Sequence, residues 1–195
     1  RIAARLVLDG RADAAVSTGS TGAFVVASVF TLGRLPGVTR PSIAVTVPAT
    51  HGPVVLLDVG ANVECTADLL VQFALCGAAY AAARFHLDRP RIGLLCNGTE
   101  PTKGDQLRRA AAALLAESPL RFVGYVESGA VTSGDVADVV VTDGFTGNVL
   151  LKGIEGMHAL ARHRIVATLP DPTGPVAALD PLGAERLGGA LLLGV

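Results

Sequence analysis

The sequence predicts an α/β fold: a mainly parallel sheet with helices on both faces. Three observations carry that expectation. Apolar runs of four to seven residues alternate with longer helical stretches along the 195-residue chain. The runs are nearly continuous in Val, Ile and Leu rather than alternating, as in strands buried on both faces. Glycine clusters with Ser, Thr, Asn and Asp at junctions between the two kinds of segment, where a chain leaving a strand turns into a helix.

Taken in order, DAAVS at 13–17 reads as a strand and 21–32 as a helix. SIAVTV at 42–47, bounded by Pro41 and Pro48, reads as a strand, and VVLLDV at 54–59 as a more deeply buried one. A long Ala-rich helix follows over 67–85, then a strand at 91–96 and a helix over 104–117 rich in strong helix formers. Strands are predicted at 121–126 and 137–142, and a last helix over 146–161. From 162 to 188 the chain is rich in Pro and Gly and keeps no steady period, which predicts an irregular or incomplete segment. The whole of 1–195 reads as a single domain. The chain opens at Arg1 and closes on Leu191-Leu192-Leu193-Gly194-Val195, so the expectation is the central part of a longer protein.

Composition removes several function classes. Half the residues are hydrophobic, which excludes disorder, and 3 cysteines exclude a disulfide scaffold. The 23 glycines and 11 prolines stay below the ~25–30% that marks low-complexity sequence. A net charge of −1 gives no polyanion-binding surface, so no nucleic acid is expected. An aromatic content of 4% argues against base-stacking or sugar platforms. The uncharged run at 14–33 is long enough to span a bilayer, but STGSTG at 17–22 would break a spanning helix. Reduced thiols at Cys65, Cys76 and Cys96, without CxxC spacing, suit a cytoplasmic protein.

Four turns hold much of the glycine: STGSTG at 17–22, DVGAN at 58–62, CNGTEPTKG at 96–104 and DGFTGN at 143–148. Each is expected to follow a strand and lead into a helix, which places all four on the carboxyl edge of one sheet. Open α/β sheets bind ligands there. Helix N-termini offer unpaired N–H groups to anions, and glycine permits close backbone approach. Together the turns describe a pocket for a phosphate-like or carbonyl-oxygen ligand. Each taken singly is equally a capped strand-to-helix turn. None matches GxGxxG or GxxxxGK[ST], so no nucleotide cofactor is expected.

Lys103 is one of two lysines in the chain and the one inside a glycine turn, where it can set a compact charge against phosphate. Asn148 opens a helix and can donate its amide to a carbonyl oxygen. Asn62 and Asn97 have the same two readings, ligand donor or local turn geometry. Asp58 and Asp143 end buried strands, where they can hold backbone N–H groups. The histidines at 51, 86, 158 and 163 lack metal-ligand spacing. There is no GxSxG elbow; a nucleophilic Cys96 remains open against a passive thiol. A substrate that is itself a nucleophile, such as inorganic phosphate, would need no protein nucleophile.

The series STGSTGA, GRLPGVTRPSIAVTVP, LLDVGAN, RIGLLCNGTEPTKG and ADVVVTDGFTGNVLLKGIEG resembles the phosphate acyltransferase family from about residue 1 to 156, and more weakly at 188–195. The resemblance implies a three-layer α/β/α, Rossmann-like fold related to phosphotransacetylases and isocitrate dehydrogenases, and a homodimer. It implies transfer of a long-chain acyl group from acyl carrier protein to inorganic phosphate, giving acyl-phosphate for phospholipid synthesis. A glycerol-3-phosphate acyltransferase would then use that product, and peripheral membrane contact is implied as well. By the same resemblance Lys103 and Asn148 are the leading catalytic candidates. Substrate- or phosphate-binding candidates are Ser20, Thr21, Gly22, Asn62, Asn97, Gly98, Thr99, Glu100, Gly104, Asp143, Gly144, Thr146 and Gly147. The chain departs from the family at Ser20, where Asn is frequent, and at Cys96, where Ser or Asn is usual. It also lacks the family's N-terminal strand with its glycine-rich turn and the end of the chain, and 163–188 is shorter than the family's helical hairpin. Rival readings are a short-chain phosphotransacetylase using acyl-coenzyme A and a non-catalytic phosphate-binding paralogue.

Overall fold

The computed structural model describes residues 1–168 and 189–195. Among the described residues six helices and six strands follow one another as α1 (Ile2–Leu8), α2 (Thr21–Leu32), β1 (Ser42–Val47), β2 (Val54–Leu57), α3 (Ala67–Phe85), β3 (Arg91–Leu95), α4 (Gln106–Glu117), β4 (Arg121–Val126), α5 (Gly129–Ser133), β5 (Val139–Val141), α6 (Gly144–Thr168) and β6 (Ala190–Leu193). The strands form one sheet in the order β4-β3-β5-β2-β1-β6. β4, β3, β5 and β2 are mutually parallel, whereas β1 runs antiparallel to both β2 and β6. Five strands therefore share one direction and β1 alone is reversed, so the expectation of a mainly parallel sheet holds.

Each face of the sheet has its own apolar layer. On one, Val55, Leu57, Ile92, Leu94, Val139 and Val141 pack under α3 and α4 through Leu70, Phe73, Ala111 and Leu115. On the other, Ile43, Val45, Leu56, Val126 and Val140 meet Val131 of α5 and Leu150, Leu151 and Ile154 of α6. Alternate residues of one strand thus enter opposite layers, as the pleat requires. Gly77 lets α3 lie close to the sheet, since a Cβ there would come within 2.7 Å of Val139. Three helices begin on side-chain caps: Ser20 accepts from Ala23 N–H, Thr66 from Leu69 N–H and Asp105 from Arg108 N–H.

Several expectations need correction. Residues 13–17 form no strand: they have no ladder partner, and Val16 is 89% exposed. STGSTG therefore caps α2 without following a strand. α6 starts at Gly144 and continues to Thr168, absorbing the first residues of the segment expected to be irregular from 162. The rest of that segment, 169–188, lies outside the described residues. α1, α5 and β6 were not expected at all.

Phe73 is fully buried at the centre of the α3 face. Phe73→Ala is expected to destabilise the fold by about 3–5 kcal/mol. Urea unfolding should show a lower midpoint with an unchanged slope.

Candidate functional site

β2, β3 and β5 run in one direction, so the turns that follow them, at 58–62, 96–104 and 143–148, emerge on one edge of the sheet. The first is organised by Asp58, which is fully buried. Its carboxylate accepts from the N–H groups of Ile43 (3.0 Å), Gly60 (3.2 Å), Ala61 (3.1 Å) and Asn62 (2.6 Å). It also accepts from the Asn62 side-chain amide at 2.9 Å, and that amide donates again to the Pro41 carbonyl at 2.8 Å. A buried carboxylate supplied with this many donors is a structural anchor.

The start of α6 is pressed against this turn. Gly144 N–H donates to the Asn62 carbonyl at 2.7 Å. A Cβ on Gly144 would stand 2.6 Å from that carbonyl oxygen, and one on Gly147 would stand 2.0 Å from the Asp58 carbonyl oxygen. Both glycines are needed for the contact between backbones. Their place in the fold is at this packing surface.

A second network centres on Arg108, which none of the four glycine turns contains. From α4 its guanidinium donates to the Leu95 carbonyl (3.1 Å), the Asp105 carboxylate (2.7 Å), the Asp143 carboxylate (2.5 Å) and Thr146 Oγ1 (3.2 Å). Asp143 also accepts from Thr146 N–H and Thr146 Oγ1, both at 2.8 Å. Burial alone would raise the Asp143 pKa, but the Thr146 and Arg108 hydrogen bonds outweigh it and hold the carboxyl below the usual carboxylate range. The only sequence signal for Arg108 is its spacing of three from Asp105, which also marks ordinary surface pairs.

The turn at 96–104 closes on itself. Asn97 Oδ1 accepts from Gly104 N–H at 3.1 Å, and the Cys96 thiol donates to the same oxygen at 3.4 Å. Gly104 adopts φ +81°, and a Cβ on Gly98 would meet Lys103 Cγ at 2.9 Å. Cys65, near the Asp58 turn, has its thiol pushed up to about 11 by burial, so it is protonated at neutral pH.

Two cavities open along this edge. One, of about 780 Å³, is lined by Cys96, Asn97, Gly104, Arg108, Glu127 and Thr146, among others. The other, of about 610 Å³, brings Thr21 and Asn148 together with residues of β1 and α6. The nominated residues thus divide. Asn97, Gly104 and Thr146 face the first cavity and Thr21 and Asn148 the second, while Asn62, Asp143, Gly144 and Gly147 serve the scaffold. Ser20 caps α2, and a Cβ at Gly22 would meet nothing within 4 Å. Lys103, Thr99 and Glu100 are exposed on the 96–104 turn. Among the described residues, the side chains of Lys103 and Asn148 make no hydrogen bond or ion pair. No group of His, Cys, Asp and Glu among the described residues is arranged to hold a metal ion. No helix among them is long and apolar enough to cross a membrane.

A six-stranded sheet between two helical layers, with glycine turns gathered at one edge, defines a three-layer α/β/α protein. Its chain trace is similar to that of a phosphotransacetylase from Streptococcus pyogenes, with a TM-score of 0.61 and 21% identity over 97% of this chain and 56% of that one. That likeness is one of fold. By sequence, the pattern of the fatty acid synthesis protein family matches residues 1–172, and the chain belongs to that family. A relative from Desulfitobacterium hafniense strain Y51, named phosphate acyltransferase, is 44% identical over 205 residues, covering all of this chain and 61% of its own length. One of the same name from Myxococcus xanthus is 54% identical over 159 residues, 80% of this chain and 45% of its own. The chain therefore spans about half to three-fifths of the length of these curated relatives.

The Asp143 network makes stability depend on pH. Its carboxyl ionises at lower pH in the folded chain than in the unfolded one. Its contribution is complete above the unfolded value of about 4 and is lost as pH falls through the folded value. Asp143→Asn is expected to destabilise by about 1–3 kcal/mol at pH 7. Urea unfolding across pH should show that difference shrinking below about pH 4.

Proposed function

We propose that the full-length protein transfers a long-chain acyl group from the thioester of acyl carrier protein to inorganic phosphate, giving acyl-phosphate for phospholipid synthesis. Membership of the fatty acid synthesis protein family and the phosphate acyltransferase name of its relatives support acyl transfer to phosphate. One structural observation carries the choice of residues. Asn62, Asp143 and Arg108 spend their polar atoms on the scaffold and Asn97 its Oδ1, whereas among the described residues the ends of Lys103 and Asn148 have no hydrogen-bond or ion-pair partner.

In this reading a phosphate oxygen attacks the thioester carbonyl carbon, and the carbonyl oxygen becomes an oxyanion. Collapse breaks the C–S bond, and the carrier leaves as a thiolate that takes up a proton. Lys103 offsets the charge of the incoming phosphate. Asn148 donates its amide to the oxyanion, which a preorganised donor stabilises more than the neutral carbonyl. Holding both reactants at one sheet edge supplies the proximity term. No protein nucleophile and no cofactor enters these steps. The working state is a cytoplasmic homodimer with peripheral membrane contact, receiving acyl chains from carrier protein and passing acyl-phosphate to a glycerol-3-phosphate acyltransferase.

Asn148→Ala is expected to lower turnover about 10²–10³-fold, the usual effect of removing one oxyanion donor. Lys103→Ala should chiefly raise the KM for phosphate. Both are read as phosphate-dependent loss of palmitoyl-carrier-protein thioester on the full-length protein, with thermal unfolding as the control. Wild-type turnover in both variants overturns the residue assignment. Faster turnover of acetyl-coenzyme A than of the palmitoyl thioester overturns the choice of donor.

A further inference from the structure

The 610 Å³ cavity that contains Asn148 does not stop at the turns. It continues between the sheet and α6, along β1 from Ile43 through Val45 and Val47 to Ala49 and Thr50. Ile43, Val45 and Val47 alternate along the strand, so all three face the same side. Opposite them α6 presents Asn148, Leu151, Glu155 and His158, a spacing that keeps one helical face towards the groove, with Ile154 beside them.

The two walls run alongside each other from the same end. Ile43 N–H is tied to Asp58, and Gly60 of the same turn lies about 4.0 Å, measured to a Cβ built there, from Asn148. From Ile43 to Val47 the strand spans roughly 13 Å. From Asn148 to His158 the helix spans roughly 15 Å. At the far end Thr50 N–H bonds the Thr132 carbonyl at 3.1 Å, joining the β1–β2 connection to α5. The charges at the groove, Lys152 and Glu155, are exposed and paired with each other at 2.6 Å. The volume falls within the range of small-molecule sites, and the lining is mostly apolar between Asn148 at one end and Thr50, Thr132 and His158 towards the other.

We propose that this groove holds the fatty acyl chain of the substrate, with its carbonyl end at Asn148 and its methyl end towards Thr50 and Thr132. The inference rests on the acyl-transfer reading for the identity of the occupant, and it adds a site and an orientation. A hydrocarbon chain gains by leaving water for such a slot roughly in proportion to its buried length, so the groove selects long chains over short ones. A polar or charged small substrate would find no partner along Ile43, Val45, Val47, Leu151 and Ile154.

The test fills the groove from its helical wall, because Ile154 is only partly buried and lies on α6, outside the sheet. In the full-length protein, binding of cis-parinaric acid is followed by fluorescence for wild type and Ile154→Trp. Affinity should fall about tenfold or more, the effect of overfilling a packed site. The ratio of kcat/KM for the palmitoyl over the butyryl thioester of carrier protein should fall by a similar factor, about tenfold. Leu151→Phe fills the same wall more gently and should give the same order of effects if Ile154→Trp does not fold. Unchanged parinaric binding in a folded variant, or an unchanged palmitoyl-to-butyryl ratio, overturns the groove assignment and leaves acyl transfer standing. Groove-dependent parinaric binding in a wild-type protein that shows no phosphate-dependent thioester loss has the reverse meaning: the groove stands and the acyl-transfer reading fails.

Discussion

Asp58 has no solvent to share its charge, so the chain around it is shaped to supply donors. An ionised carboxylate has about four lone-pair sites and no proton to give. Here those sites are met by N–H groups from β1, from the turn after β2, and from the Asn62 side chain. The demand fixes three things together: the curl of residues 58–62, the second residue of β1, Ile43, and the position of Asn62 against Pro41. Leaving such a charge buried without its donors would cost several kcal/mol, so these elements move as one or not at all. The same turn then decides where α6 begins, since Gly144 and Gly147 rest directly on the backbone of Asp58 and Asn62. Asn148 follows one residue later. The position of Asn148 is therefore set through the turn that Asp58 organises.

Arg108 extends the logic across the other half of the edge. It binds the end of β3, its own helix cap and the start of α6 through Leu95, Asp105, Asp143 and Thr146. Charge-assisted bonds of this kind are short and directional, so the network orients as well as stabilises. Between them, Asp58 and Arg108 consume most of the polar atoms that cluster at the strand ends. On these turns Asn62 spends its amide and Asn97 its Oδ1 within the scaffold, whereas among the described residues the Asn148 side chain has no hydrogen-bond partner.

Residues with a local signature were legible in the sequence. The long helix over 67–85, the strands at 42–47 and 121–126 and the helix over 21–32 match the expected bounds, because apolar runs and caps at Ser20 and Thr66 act within a few residues. DAAVS at 13–17 carries the local look of a strand, but a strand exists only when a neighbour exchanges hydrogen bonds with it, and none does. β6 is the converse. Its leucines gave no period to read, and pairing with β1 makes the strand. At the site, Asn62, Asn97 and Asn148 look alike in sequence because each sits at a glycine turn. What distinguishes them is which acceptor or donor lies within about 3 Å, and that is settled by residues 4 to 21 positions away. Arg108 was hidden for the same reason: its partner Asp143 is 35 residues distant.

The reversed strand gives the groove its origin. Parallel neighbours must be joined by crossovers, usually helices, and those helices cover the sheet. β1 and β2 are antiparallel and are joined by the short connection at 48–53, which brings no helix onto the face they share. α5 covers the far end of that face, and α6 crosses from the Asp58 turn, so among the described residues the groove over β1 lies between them. Its sheet wall is apolar because Ile43, Val45 and Val47 follow the pleat of a strand built to be buried. A single change of strand direction thus leaves an apolar slot, and the turn that anchors β1 also anchors the helix carrying Asn148 at its mouth. The apolar strand face and the Asn148 amide are brought to one place by the same backbone contacts.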